Sequence, residues 1–265
     1  MITLDGYSLR SFGLCCEKQN HPITPNFKIK TMSIPGKVGL YEFGVEIQER
    51  ETSFNIGIID KDKTALQYKL RRFVAFLHDV YGKPRSIRLA FNYEPDKYYV
   101  VKISNRIEPD RVSRTGKFTL QFTAYDPYAY SSVYADEILW GSNVITFMSS
   151  YLLGHNGSDG LKTINAPTTL NIHVDGLAIK PVIEITGTAT SLSLSVNGYN
   201  ITFPSFTASE WIIDCDKYSV LKNGTNAFGL VSLREFILLP GNNSAAVTGT
   251  GINVTMRIKS RDKYL

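Results

Sequence analysis

Cysteine is scarce in this chain of 265 residues: Cys15 and Cys16 are adjacent, and Cys215 stands far from both. That arrangement supplies neither a disulfide framework nor the spaced pairs of a structural zinc site, so reduced, non-ligating thiols are expected. Histidine is nearly as rare, and His21, His78, His155 and His173 share no ligand spacing with acids or cysteines. Long apolar runs are missing as well. With no stretch of 18 or more apolar residues, the chain is expected to be soluble and not to insert into a membrane. The opening residues Met1-Ile2-Thr3-Leu4-Asp5 carry neither the basic region nor the apolar core of a secretion signal, which points to synthesis and assembly in a cytoplasm. Without a secretory route, the Asn-x-Ser/Thr triplets at Asn156, Asn200, Asn223, Asn242 and Asn253 carry no weight as glycosylation sites.

The arrangements that catalysis needs are missing too. Gly36-Lys37-Val38 lacks the glycine spacing and the Ser/Thr of a phosphate loop, and the glycines between Gly154 and Gly160 do not open a helix. Asp214 and Asp216 lie two apart on an expected strand, which would put both carboxylates on one face as an acid/base pair requires. A solvated turn at the edge of a sheet accounts for them more simply. No catalytic, cofactor-binding or metal-ligating residue is assigned, no cofactor is implied, and the chain is expected not to be an enzyme.

Charge is present but uneven. Residues 1–133 hold 20 Lys+Arg against 14 Asp+Glu, and residues 134–265 hold 9 against 10. An excess this small is a solvated surface before it is a nucleic-acid site, and no zinc finger, basic heptad segment or RNP-type motif accompanies it.

The sequence is mainly β with one prominent helix. After Asp60 and Asp62, the apolar residues Leu66, Leu70, Phe73, Val74, Leu77 and Tyr81 recur at three- and four-residue spacing, which predicts an amphipathic helix of about five turns. Asp62 suits its N-cap, and Gly82 followed by Pro84 suits its exit. Burying six such side chains is worth on the order of 9–18 kcal/mol before entropy is subtracted, so the helix must lie on a sheet. Residues 41–48 and 52–59 read as a hairpin turning at Glu49-Arg50-Glu51. Further strands are expected over residues 86–91, 98–104 and 117–125. Residues 17–39, punctuated by His21-Pro22, Thr24-Pro25 and Pro35-Gly36, read as an extended arm or long loop.

Asp126-Pro127 stops the last of these strands, and beyond it Ser, Thr, Asn and Gly rise while helical periodicity disappears. A first domain over residues 1–133 and a second over 134–265 are therefore expected. The second half predicts strands over residues 138–147, 168–174, 181–186, 191–196, 199–203, 211–214, 235–239 and 252–259. Asn197-Gly198 marks a two-residue hairpin, and Ser149 to Asn165 reads as a mobile loop. Short alternating strands at this spacing predict a β-sandwich. Trp211, Trp140, Tyr199 and Phe206 either fill its core or form an aromatic platform for a sugar ring, and composition does not separate the two.

The ordering of motifs resembles the siphophage distal tail protein (Dit) family. The resemblance rests on Leu4-Asp5-Gly6-Tyr7-Ser8-Leu9, Ile34-Pro35-Gly36-Lys37-Val38-Gly39, the helix ending in Phe76-Leu77, and Pro95-Asp96-Lys97-Tyr98-Tyr99. It continues through the run from Phe118 to Tyr130 ending Tyr-Asp-Pro-Tyr-Ala-Tyr, then Trp211-Ile212-Ile213-Asp214 and Leu239-Pro240-Gly241-Asn242-Asn243, and so covers essentially the whole chain. It implies a structural tail protein whose first domain forms a homohexameric ring, single or stacked, with a channel through which DNA passes unread. The second domain would be a galectin-like β-sandwich on the outside of the ring. The implied neighbours are the tail-tube protein, the tape-measure protein, the tail-tip hub or tail-associated lysin, and receptor-binding proteins, at the tail tip of the virion. The competing function is a carbohydrate-binding adhesion module that recognises host-wall saccharide through the second domain; an unrecognised hydrolase is a third.

Overall fold

The computed structural model describes residues 2–112, 114–138, 160–233 and 235–265. Residues 139–147 of the expected strand, Trp140, His155, Gly154 and Gly157 lie outside the described residues. The chain divides into two compact units, Met1–Ala129 together with Leu265, and Tyr130–Tyr264.

The first unit contains the strands β1 (Ile2–Leu4), β2 (Leu14–Asn20), β3 (Phe27–Met32), β4 (Tyr41–Ile47) and β5 (Arg50–Ile59), the helix α1 (Lys63–Leu77), and the strands β6 (Ile87–Phe91), β7 (Glu94–Ile103) and β8 (Thr115–Ala124). Its main sheet runs Tyr7–Ser8, β1, β6, β7, β8, β5, β2. Alternation drives the pairing of its two longest neighbours. On β5 the side chains of Thr52, Phe54, Ile56 and Ile58 are buried; on β8, Phe118, Leu120 and Phe122 are buried opposite them, with Phe118 facing Ile56 and Leu120 facing Phe54. A one-residue slip would turn both rows into water, which fixes the register.

Helix α1 begins as expected, with Asp62 Oδ1 accepting the Ala65 N–H at 2.8 Å. It buries Leu66, Leu70, Phe73 and Leu77, a stripe worth about 6–12 kcal/mol before entropy. The ring of Phe12, from the short 3-10 turn Leu9–Phe12, stands 5.4 Å from Phe73 and 4.9 Å from Phe76. The helix ends a turn earlier than its periodicity predicts. His78 is already extended, and Asp79 Oδ1 accepts the N–H groups of Tyr81 and Lys83, folding residues 79–83 into a turn that leaves Tyr81 84% exposed. Gly82, with φ +77°, belongs to that turn and not to the helix exit.

The expected hairpin of residues 41–48 with 52–59 is not formed. β5 pairs with β2 and β8, whereas β4 pairs with β3, from Phe27 opposite Ile47 to Met32 opposite Tyr41. Glu49-Arg50-Glu51 is therefore no turn. Arg50 is a buried strand residue, and the segment read as an irregular arm contains two ordered strands.

The second unit is a β-sandwich. Its labelled strands are β9 (Thr168–Val174), β10 (Val182–Ala189), β11 (Ser191–Val196), β12 (Tyr199–Phe203), β13 (Phe206–Asp214), β14 (Ser219–Lys222), β15 (Gly241–Thr250) and β16 (Asn253–Lys259). One sheet runs Lys162–Ile164, β16, β10, β13, β14, Thr225–Asn226; the other runs β9, β15, β11, β12, Ser232–Leu233. Apolar residues of both, among them Ile185, Trp211, Met256, Ile172, Leu194 and Val247, form one buried cluster. The Asn197-Gly198 turn has positive φ at both residues, +51° and +80°, and joins β11 to β12 as the sequence predicts.

Three expectations in this unit need correction. Residues 235–239 are not a strand: only Leu238 bridges, exchanging backbone bonds of 2.9 and 3.0 Å with Ile179. Pro240-Gly241 leads straight into β15, a ten-residue strand at the interior of its sheet that the sequence reading omitted. Lys162–Ile164, placed in a mobile loop, is a strand paired with β16.

Candidate assembly surface

The residues that a catalytic reading would use are dispersed. His21 packs 4.3 Å from the Phe91 ring, and its Nδ1 is 3.0 Å from Thr52 Oγ1; burial, reinforced by the Arg50 charge, lowers its pKa to about 4. His78 Nδ1 meets Val74 O at 2.7 Å, and His173 Nδ1 meets Asn242 Oδ1 at 2.8 Å. Asp214 Oδ1 accepts the N–H groups of Asp216 and Lys217, and its Oδ2 pairs with Lys217 Nζ at 2.8 Å, which is the solvated turn and not an acid/base pair. Among the described residues no group of three or more His, Cys, Asp or Glu is placed to hold a metal ion. No described helix is long and apolar enough to cross a membrane.

Burial removes Trp211 and Phe206 from the expected aromatic platform, while Tyr199 is half-buried against the same core. Trp211 is 0% exposed and Phe206 3%, and the two stand edge-on with centroids 5.8 Å apart, with Phe203 5.5 Å from Trp211. These rings fill the sandwich core and offer no face to a sugar.

What the first unit does present is a two-stranded arm. β3 and β4 pair with each other and, among the described residues, with no other strand. Every residue of both is exposed. Phe27 opposite Ile47 and Ile29 opposite Val45 form one face of the ribbon, and Lys28 opposite Glu46, with the Lys30–Glu46 ion pair, forms the other. At the tip, Val38 and Leu40 are 101% and 67% exposed. Among the described residues, 11 of the 27 exposed large hydrophobics fall between Ile23 and Ile47. An isolated two-stranded ribbon is at best marginally stable in water, so an ordered one carrying this much uncovered apolar surface calls for a partner.

The root of the arm is rigidly anchored, and Arg50 is the anchor. At 1% exposure, it donates from Nη1 to the carbonyls of Pro22 and Ile23, both at 2.9 Å, and from Nε to that of Pro127 at 3.0 Å. Its guanidinium also lies 5.0 Å over the Tyr99 ring. Burial pulls its pKa down, but a guanidinium starts so high that it stays charged. Charge-assisted bonds of this kind hold the chain entering the arm against the strand leaving it. This role is not legible in the sequence, because a lone Arg between two Glu reads as a polar turn.

What the first unit presents is thus an ordered, uncovered apolar ribbon on an anchored root. Residues 9–124 match the family model described as the phage tail protein RIFT-related domain. No curated protein sequence matches the chain. Among solved structures it is similar to the Dit protein of phage SPP1, described as a paradigm of the hub adsorption apparatus in phages infecting Gram-positive bacteria. The TM-score is 0.70 at 16% identity, over 100% of this chain and 98% of that one. The phage P2 baseplate in its activated conformation also matches, with Ca (TM-score 0.44, 12% identity, 96% and 92% covered) and with Sr (0.43, 11%, 96% and 92%). The match to the family model covers residues 9–124, less than half of the chain, and the likeness to the SPP1 protein is one of fold. The chain as a whole has the fold of the phage SPP1 Dit protein.

Proposed function

We propose that this protein is the distal tail protein of a long-tailed bacteriophage, a structural subunit without enzymatic activity. Six copies close through their first units into a ring that joins the tail tube to the adhesion apparatus. The ring leaves a channel through which DNA passes without sequence-specific contact, and each copy also carries a galectin-like second unit. Its neighbours are the tail-tube protein above, the tape-measure protein within, and the tail-tip hub or tail-associated lysin and the receptor-binding proteins below. The protein is made in the host cytoplasm and resides at the tail tip.

The observation that carries this reading is the arm. Closure into a ring needs two different, complementary surfaces on each copy, and an ordered ribbon with uncovered apolar residues is one such surface. Light scattering on the purified chain tests it: a particle about six times the 29.7 kDa chain, or twice that for stacked rings, is expected, with rings visible by electron microscopy. A monomer that persists at high concentration refutes it.

A further inference from the structure

Helix α1 carries charge of one sign only. It holds Lys63, Lys69, Arg71 and Arg72 and no Asp or Glu. Opposite the buried stripe lies a face of Thr64, Tyr68, Arg71, Arg72 and Ala75, every one of them exposed. A helix face that meets only water gains from opposite charges at three- and four-residue spacing, and this face forgoes that gain. Other surface cations of the first unit have acids beside them: Lys30 pairs with Glu46, Lys117 with Glu17 at 3.0 Å, and Lys69, on the flank of the helix, with Asp60 at 2.9 Å. Among the described residues, Arg71 and Arg72 have no such partner. The helix dipole does not account for them either, since it acts within the last turn and that turn holds no basic residue.

We infer that this face docks an acidic segment of a partner protein, with Arg71 and Arg72 each taking a carboxylate and the Tyr68 ring covering an apolar side chain. Tyr68, 71% exposed, stands three and four residues before the two arginines, so the three side chains are neighbours on one turn. Adjacent positions diverge by about 100° around a helix axis, and the two guanidiniums therefore reach to either side of a segment laid along it. Thr64, one turn before Tyr68, and Ala75, one turn beyond the arginines, are short and let a partner's backbone come close at both ends. Tyr and Arg are the residue types that most often carry the energy of a protein interface. Charge complementarity sets the partner's sign, and the guanidinium fork fits a carboxylate with two parallel hydrogen bonds. A nucleic acid fits less well, because two unpaired guanidiniums neutralise about two phosphates, too few to hold a duplex at physiological salt. The surface lies outside the arm, and its use does not depend on the ring.

Fluorescence anisotropy on the full chain tests it. The probe is a labelled synthetic peptide of about 20 residues, two Glu to each Leu, at about 150 mM NaCl, where the screening length is about 8 Å. Arg71→Glu with Arg72→Glu weakens binding about 10-fold or more, and Tyr68→Ala about fivefold. A control chain carries Arg111→Glu with Arg114→Glu, which changes net charge by the same amount at exposed positions of the same unit and alters binding by less than about twofold. Arg71→Gln with Arg72→Gln, neutral and equally compatible with helix, separates loss of the site from loss of the fold: binding falls about fivefold or more while far-UV circular dichroism is unchanged. Equal losses in the helix and control chains, or binding that survives both helix doubles, assign the affinity to net charge and overturn the proposal. A parent chain that fails to bind the peptide at about 1 mM overturns it too. So does tighter binding of a labelled DNA duplex of about 20 base pairs that the same substitutions abolish. If the helix doubles no longer form the parent's oligomer in light scattering, the face belongs to a contact between copies and the proposal fails.

Discussion

Replacing Arg50 with Met tests whether the arm is held from within the fold. The substitution keeps much of the aliphatic stem in place while removing the donors to Pro22 O, Ile23 O and Pro127 O. A hydrogen bond from a charged donor is worth roughly 1.5–3 kcal/mol, and a carbonyl left buried without a donor costs about 1–3. The two groups at the arm root lie near solvent and can be rehydrated, so most of the loss comes from Pro127 and from the contact with Tyr99. Among the described residues the Arg50 Nη2 has no acceptor, and its removal relieves a small cost. The balance is a loss of about 3–4 kcal/mol from the first unit, a large share of the roughly 5–15 kcal/mol that holds a domain together. Arg50→Lys, able to reach one carbonyl and not three, should lose about half as much. Urea denaturation followed by tyrosine fluorescence and far-UV circular dichroism measures the change. Light scattering on the folded fraction asks whether assembly weakens with it. A loss below about 1 kcal/mol for Arg50→Met, or equal losses for Met and Lys, would refute the clamp.

Two further outcomes follow from the second unit and one from the thiols. Asp262 is 8% exposed beside Asp175, and burial raises its pKa to about 6. Its native state is favoured while protonated, and the stabilisation is lost as pH rises from about 4 through about 6. Asp262→Asn, which keeps the acceptor for the Asp175 N–H, should therefore be more stable than the parent by about 2–3 kcal/mol at pH 8 and equal to it near pH 4; a difference independent of pH would contradict the assignment. Trp211→Ala should cost the sandwich about 3–5 kcal/mol by opening a cavity at the Phe203–Phe206 cluster, whereas loss of a saccharide with stability unchanged would revive the platform. Maleimide labelling followed by mass spectrometry should modify Cys15 in the native chain and Cys215 only after unfolding.

Where the sequence was legible, one physical signal sufficed. Helix α1 declared itself through Leu66, Leu70, Phe73 and Leu77 with Asp62 as cap, and the β11–β12 hairpin through Asn197-Gly198. Its limits have equally specific causes. Val74 and Tyr81 continue the three-to-four spacing by coincidence, and Asp79 captures the backbone before it can propagate as helix. β15 was missed because its sequence GNNSAAVTGT holds one large β-former. Its inward residues, Asn243, Ala245 and Val247, are small or polar. Asn243 is buried with five hydrogen bonds to four residues: its Oδ1 accepts from Leu239 N and Asn197 Nδ2, and its Nδ2 donates to the carbonyls of Leu239, Gly241 and Ile172. A polar residue in that position marks a turn when read from sequence, and a satisfied interior network when read in space.

The arm was illegible for a reason that bears on its role. Val45 and Ile47 alternate with Gly44 and Glu46 as a half-buried strand does, and that pattern alone pairs them with the core strand β5 and not with β3. Alternation records burial without saying against what. In the single chain these side chains face solvent, with Phe43 64% and Val45 48% exposed, yet the pattern that burial selects is present. The two observations are compatible if the burying surface belongs to another molecule. The same reasoning separates the arm from exposed residues such as Tyr68 or Val80, which carry no alternating period. A ribbon with the periodicity of a core strand and the exposure of a loop is the form that an interface takes before its partner arrives.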